Sequence, residues 1–384
     1  MTRFVSLLLI LGILSGCSLF SDDDNSEPPA RLEPFKKQVR LVSLWSRDTG
    51  EGTREQRVKL VPAVSGKRVY AADRNGAVLA YELDSGKPVW RSKTGLAISA
   101  GVGVGDGLVL VGSSEAELVA LDAATGEELW RTSVSSEILS IPQASDGVVV
   151  VQTVDGNIAG LDAGDGKRLW VRDRSAPVLT LRGTSTPLVV ENVVLAGFAS
   201  GKMTALEIKS GRQIWEVAVA VSRGRSELQR IVDIDADAVI RDGVLYVVSY
   251  QGRLVAISLQ DGRMLWNRDM SAYAGIAVED RQVFVTDADS NLWALDRRTG
   301  ASLWKQDKLS RRDLTGPVVI GEYVGVGDFE GYIHLLTQAE GVMAGRVRHD
   351  SAGIQATPVA LPGDRLLVLG ASGKLALYQL ESVN

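Results

Sequence analysis

The chain is 384 residues long, 45% hydrophobic and 23% charged, with a formal net charge of −5. That balance belongs to a foldable globular protein and leaves no basic footprint for binding nucleic acid. One cysteine excludes an internal disulfide framework and any multi-thiolate zinc or iron–sulfur site, and two histidines leave little material for metal or acid–base chemistry.

Residues 1–16 read as an address rather than as fold. Arg3 supplies the positive start and Phe4 to Leu14 the apolar run, and Leu14-Ser15-Gly16-Cys17 puts small residues before the sole cysteine. The apolar run is well short of the ~20 residues that a bilayer-spanning helix needs. This order resembles the lipobox of bacterial lipoproteins. The resemblance implies cleavage before Cys17, acylation of Cys17, and sorting to the periplasmic face of the outer membrane, because Ser18 rather than Asp follows the cysteine. Ser21 to Ala30 is acidic and Pro-containing without apolar periodicity, as in a flexible tether. The expected division is therefore a signal peptide over 1–16, a lipidated cysteine and tether over 17–38, and one folded domain over 39–384.

That domain is ruled by tryptophan. Trp45, Trp90, Trp130, Trp170, Trp215, Trp266 and Trp304 recur at intervals of about 40 residues. Four residues before the later six stand Gly86, Gly126, Gly166, Gly211, Gly262 and Gly300. A seventh copy keeps Pro317, Gly331, Leu336 and Gly341 but has Gly345 where the tryptophan belongs. An eighth, from Thr357-Pro358 to Leu380, stops one strand short, and Val39–Trp45 supplies a spare strand at the other end of the chain. Each copy alternates like strands, with turns such as Asp122-Ala123-Ala124-Thr125-Gly126 between them. Four strands in about 40 residues make a propeller blade. The expected fold is all-β: an eight-bladed β-propeller of four-stranded antiparallel blades, its last blade completed by the N-terminal strand. The periodic tryptophans are read as wedges between blades; Trp293 alone stands off the ruler.

Chemistry is harder to find. Asp233-Ile234-Asp235-Ala236-Asp237 begins like a calcium loop, but Ala238 and Val244 occupy its sixth and twelfth places; Asp287-Ala288-Asp289-Ser290-Asn291 fails likewise and reads as a hairpin turn. His334 sits mid-strand as a structural residue, and His349 lies in a loop. There is no Gly-x-Ser-x-Gly nucleophile motif, and Gly101-Val102-Gly103-Val104-Gly105 precedes no helix. No catalytic residue, metal ligand or cofactor site is expected. The repeat Ala-Leu-Asp-x-x-Thr-Gly-x-x-x-Trp, as in 120–130 and 294–304, resembles the quinoprotein-type propeller. The dehydrogenases on that scaffold need a calcium site and usually a vicinal cysteine pair, which a lone Cys17 cannot supply.

Function on a repeat scaffold lies where copies diverge. The longest interval, Trp215 to Trp266, holds extra residues at Ser222–Arg230; Val171–Thr186 is also off-pattern. A meandering blade places both on one face, opposite the Asp-x-x-Thr-Gly turns. Arg182 and Asp233 lie equally far before Trp215 and Trp266, hence at equivalent places in successive blades. Exposed leucines, an arginine and two carboxylates there suit a protein-binding hot spot. The alternative is that Leu179 and Leu181 merely cover the end of the core while Arg182 pairs internally with Asp233 or Asp235.

Lipobox, acidic tether and eight-bladed ring together resemble the BamB family of outer-membrane assembly lipoproteins. Its Leu-x-Leu-Arg-Gly and Asp-x-Asp segments are matched here by Leu179-Thr180-Leu181-Arg182-Gly183 and Asp233-Ile234-Asp235. The resemblance implies that Leu179, Leu181, Arg182, Asp233 and Asp235 contact the periplasmic domains of BamA within the β-barrel assembly (BAM) complex, in a scaffold that is not an enzyme. The departure at Gly345 bears on the packing of blade seven. Two rivals stand beside this expectation: capture of unfolded outer-membrane proteins by sheet-edge pairing, which a closed ring disfavours, and a membrane-tethered quinone-dependent dehydrogenase.

Overall fold

Alternating side chains turn each copy into a four-strand meander. In the second copy the strands are Gly103–Gly105, Leu108–Gly112, Glu117–Asp122 and Glu128–Ser133. Leu108–Gly112 is buried throughout and Glu117–Asp122 through its middle, because blades flank both faces of these strands. Strands covered on two sides read as continuous apolar runs rather than as alternation. The outer strand alternates: Trp130 turns inward and its neighbours face solvent.

The computed structural model describes residues 27–53, 56–173, 177, 179–181, 183–223 and 225–383. Cys17 and Arg182 lie outside them. The described residues form eight four-stranded antiparallel sheets. The last is built from Val359–Leu361, Arg365–Leu369, Lys374–Ser382 and the N-terminal strand Val39–Asp48. The N-terminal strand pairs from Val39 opposite Ser382 to Asp48 opposite Lys374, so the ring closes on hydrogen bonds between the two ends of the chain. No free sheet edge is left at the seam.

The tryptophans do what the ruler predicts, through a latch that spacing alone did not reveal. Each indole Nε1–H donates to a turn carbonyl of the following blade: Trp90 to Ala123 at 3.2 Å, Trp130 to Ala163 at 2.8 Å, Trp170 to Ile208 at 2.7 Å. Trp45 reaches Leu83 at 2.8 Å in the same way and locks blade eight to blade one. The glycine of that turn lies flat on the indole. Gly166 has φ +72, and a Cβ there would come within 2.6 Å of the Trp130 ring. Glycine is thus demanded twice, by backbone conformation and by contact.

The missing tryptophan has the same explanation. Strands three and four of blade eight come from opposite ends of the chain, so no turn joins them and no turn carbonyl waits for an indole. A Cβ at Gly345 would instead lie 3.0 Å from the Val39 carbonyl oxygen. The stretch before Val39, expected as tether as far as residue 38, is described from Glu27 and lies against blade seven. Gln38 N–H donates to Ala344 O at 2.8 Å and Ala30 N–H to Ser310 O at 3.0 Å. Trp293, the one off the ruler, is held by its Nε1–H on Asp287 at 2.8 Å, with Arg268 and Lys305 near its ring.

Candidate functional site

The connection 173–187 leaves blade three and enters blade four; the connection 219–238 leaves blade four and enters blade five. None of their described residues belongs to a sheet ladder, so the backbone N–H groups described in 179–187 need other acceptors. The acids of the second connection provide them. Leu181 N–H donates to Asp233 Oδ2 at 2.6 Å, and Thr186 N–H to Asp237 Oδ1 at 2.6 Å. Gly183 lies so close to Asp235 that a Cβ would meet the carboxyl carbon at 2.5 Å. Leu179, Leu181, Asp233 and Asp235 are therefore brought together, as the equivalent positions in successive blades predicted.

Their exposure divides them. Leu179 and Leu181 are 46% and 40% exposed, whereas Asp233 is fully buried and Asp235 nearly so, at 8%. The carboxylates stand behind the leucines and fix the loop that carries them. The Asp-x-Asp stretch is thus a brace and not a cation loop; no cluster of possible metal ligands occurs among the described residues. Asp287, in the other calcium-like segment, accepts the N–H groups of its own hairpin, Asp289 and Asn291, at 3.0 and 2.8 Å.

Burial pushes the Asp233 carboxyl up to about 6, against the Leu181 N–H that lowers it. Burial, then the neighbouring Asp233 charge, pushes Asp235 up to about 7. Each has one oxygen, Oδ1, without a hydrogen-bond partner among the described residues. A raised carboxyl pKa means that between about pH 4 and pH 7 the fold binds protons that the unfolded chain has released, so the contribution of this pair falls as pH rises. His349 acts in the opposite sense: burial lowers it to about 4, so its contribution rises with pH up to about 6.5. Asp235→Asn removes the Asp235 share of the first effect and keeps the second. It is expected to exceed the parent in denaturant stability by on the order of 2 kcal/mol near pH 8, with most of the gain lost near pH 4.5. Denaturation curves at the two pH values check this; a gain independent of pH contradicts it.

The exposed apolar side chains locate the surface. One large apolar residue stands on the rim directly before each ruler tryptophan, as with Leu129 and Leu303, which is the ordinary outward face of an outer strand. Outside that period, four of the eight other exposed large apolar residues among those described, Leu179, Leu181, Val221 and Leu228, stand on the two connections just described, and Val171, Phe329, Val342 and Val383 stand singly elsewhere. A cleft of about 230 Å³ lies between the two connections, lined by Leu179 from one side and by Ser222, Glu227 and Arg230 from the other, whereas Leu181 lines a separate cavity of about 430 Å³ with Lys59, Asp235, Tyr250 and Tyr273. Val221 and Leu228, at 63% and 65% among the most exposed apolar residues, were not singled out from the sequence. Their signal was the insertion itself: Leu228 lies inside the polar stretch Ser222–Arg230 that is too long for the ruler, and Val221 directly before it. Leu228 opens a single 3₁₀ turn, Leu228–Arg230, tied by Ser222 Oγ–H to Arg230 O at 2.7 Å. Such a patch, set apart from the packing period, marks an interaction surface.

The histidines are structural. His334 Nε2 lies 2.9 Å from Asp328, and His349 lies between Tyr378 Oη and Lys374 O, each at 2.9 Å. Burial lowers both, disfavouring the charged form of each ring.

Comparisons with known proteins agree with this architecture. A family model described as outer membrane protein assembly factor BamB matches residues 74–306. Over 99% of both chains the sequence is 44% identical to the outer membrane protein assembly factor BamB of Pseudomonas aeruginosa. It is 33% identical to that of Escherichia coli over 95% of this chain and 96% of the relative. The crystal structure of BamB from Moraxella catarrhalis has a TM-score of 0.81 and 29% identity, covering 88% of this chain and 99% of that one. Quinohemoprotein alcohol dehydrogenase from Comamonas testosteroni has a TM-score of 0.70 at 15% identity, over 88% of this chain and 76% of that one; it shares the ring alone.

Proposed function

The chain belongs to the family of outer membrane protein assembly factor BamB, and from that premise we propose that it is a lipid-anchored scaffold of the β-barrel assembly machinery that binds the periplasmic domains of BamA. Its family is one of assembly factors rather than of the dehydrogenases that share the ring. The observation that carries the docking site is the concentration of exposed Leu179, Leu181, Val221 and Leu228 on two successive connections, outside the packing period. Buried Asp233 and Asp235 brace that surface from behind, and Arg182 joins it by the resemblance of its segment to the family's. Cys17 carries the lipid in this reading, on the periplasmic face of the outer membrane.

The test is affinity purification of the full chain from membranes. BamA is expected to come with it, and Arg182→Glu to reduce the yield of BamA about tenfold or more, as loss of an interface arginine does, with the thermal midpoint of the ring unchanged. Recovery of BamA at the parental level would remove Arg182 from the interface.

A further inference from the structure

Blade seven, the copy without a tryptophan, carries instead a buried network of charged groups. Asp328 Oδ2 accepts from Arg312 Nε at 2.8 Å and from His334 Nε2 at 2.9 Å. Arg346 Nε donates to His334 Nδ1 at 3.1 Å. A ring nitrogen that accepts from a guanidinium bears no proton, so the imidazole proton is on Nε2 and points at Asp328. Each arginine then has an N–H to spare, and both go to the arm before Val39. Arg312 Nη1 donates to Ala30 O at 3.0 Å and Arg346 Nη1 to Glu33 O at 3.1 Å. The Arg346 guanidinium lies over the Phe35 ring at 5.0 Å, and Leu32 and Phe35 pack against the apolar cluster containing Leu309 and Met343. Lys308 pairs with Glu33 at 3.0 Å and Arg311 with Glu27.

This arm runs from the seam of the ring to the connection between blades six and seven, where Ser310 accepts from Ala30. That connection joins an outer strand to the next inner strand, as do those bearing Leu179 and Leu228, so all three open on one face of the ring.

We propose that blade seven is a clamp for the N-terminal arm, which shortens the lipid leash and holds the face bearing Leu179 and Leu228 toward the membrane. The membrane half of the proposal rests on the reading of Cys17 as the lipidated residue. An arm free to Gln38 would let the ring wander up to about 75 Å from the lipid, at ~3.4 Å per extended residue over 17–38. Clamped at Glu27, it leaves ten residues, 17–26, and a reach of about 35 Å. The shorter leash leaves from one side of the ring, so it also selects which face lies nearest the bilayer. A partner anchored in the same membrane then meets the apolar patch at a higher effective concentration than a long tether would give.

Two measurements on the full lipidated chain in vesicles test this. Hydrogen exchange is expected to show the Ala30 and Gln38 amides protected on the order of 100-fold over a free chain. Energy transfer to a headgroup acceptor is expected to be stronger from a donor at Arg223→Cys, on the patch face, than from one at Lys167→Cys, on the opposite face of blade three. Leu32→Ser with Phe35→Ser alters only the arm, so it leaves the ring folded. It is expected to abolish the protection and the difference between the two donors. Unprotected amides in the parent overturn the clamp. Protected amides with equal transfer from both faces overturn the orientation. Mass spectrometry of the extracted chain separates the readings: an unmodified Cys17 beside protected amides overturns the anchor, and with it the membrane half, while the clamp stands.

Discussion

Replacing Leu179 and Leu181 together by serine is expected to weaken partner binding by about 100-fold or more while leaving the ring's unfolding unchanged. A leucine buried on docking contributes about 1.5–3 kcal/mol, and two central anchors together contribute at least the ~2.7 kcal/mol that a hundredfold represents. Both side chains are half exposed in the free protein, so their loss leaves no cavity in the core. Serine is chosen over aspartate because a third carboxylate would sit against Asp233, which already binds the Leu181 amide. That hydrogen bond is made by the backbone and survives the change. Leu129→Ser and Leu303→Ser are the controls. Those side chains are equally exposed but belong to the rim period, so binding is expected to stay within about twofold, since scattered surface apolar residues contribute little. Titration of the purified periplasmic domains of the partner measures all three. Equal losses from patch and rim variants would show that the periodic rim, not the divergent patch, makes the contact.

The second large effect is on the ring. Trp130→Ala is expected to destabilise by about 3–5 kcal/mol, the range for truncating a buried tryptophan, and it also strips the Ala163 carbonyl of its indole donor. Gly166→Ala, at the glycine lying on that indole, is expected to destabilise too: by the left-handed strain of about 1–2 kcal/mol and by collision with the ring. The informative variant carries both changes. With the indole gone, the new methyl group has room and only the strain remains, so the double variant should be more stable than the sum of the single losses by about 1 kcal/mol or more. Chemical denaturation of the four proteins closes the cycle. Strict additivity would mean that tryptophan and glycine act independently, and the latch between blades would then be no more than proximity.

Much of this was legible because the ring repeats one solution. Every junction with a turn to dock on uses an indole in one blade and a positive-φ glycine in the next, so both leave a period in the sequence. Gly345 looked like a defect and is a consequence of closure: where the chain ends meet, there is no turn to receive an indole. The face of the site was legible as well, since a meander fixes where each connection emerges. The depth of Asp233 and Asp235 was not. In a connection no strand period says which side chain turns inward: Asp233 is held inward as the acceptor of the Leu181 amide, and Asp235 lies under Gly183. Leu228 was hidden inside, and Val221 at the edge of, an insertion that the ruler located without orienting. The arm was the hardest to read. Pro, Glu and Lys around Leu32 and Phe35 look like linker, and what orders them is a network in blade seven nearly 300 residues later in the chain, Arg312 with Asp328, His334 and Arg346.

The central claim is that this ring acts through the partner it holds on one face. A photo-activated crosslinker in place of Leu179, in the lipidated protein in its own membrane, tests that most directly. The account predicts an adduct with BamA from position 179 and none from the same crosslinker in place of Leu303. Adducts from position 303 with none from 179, or no assembly partner at either position, would contradict it.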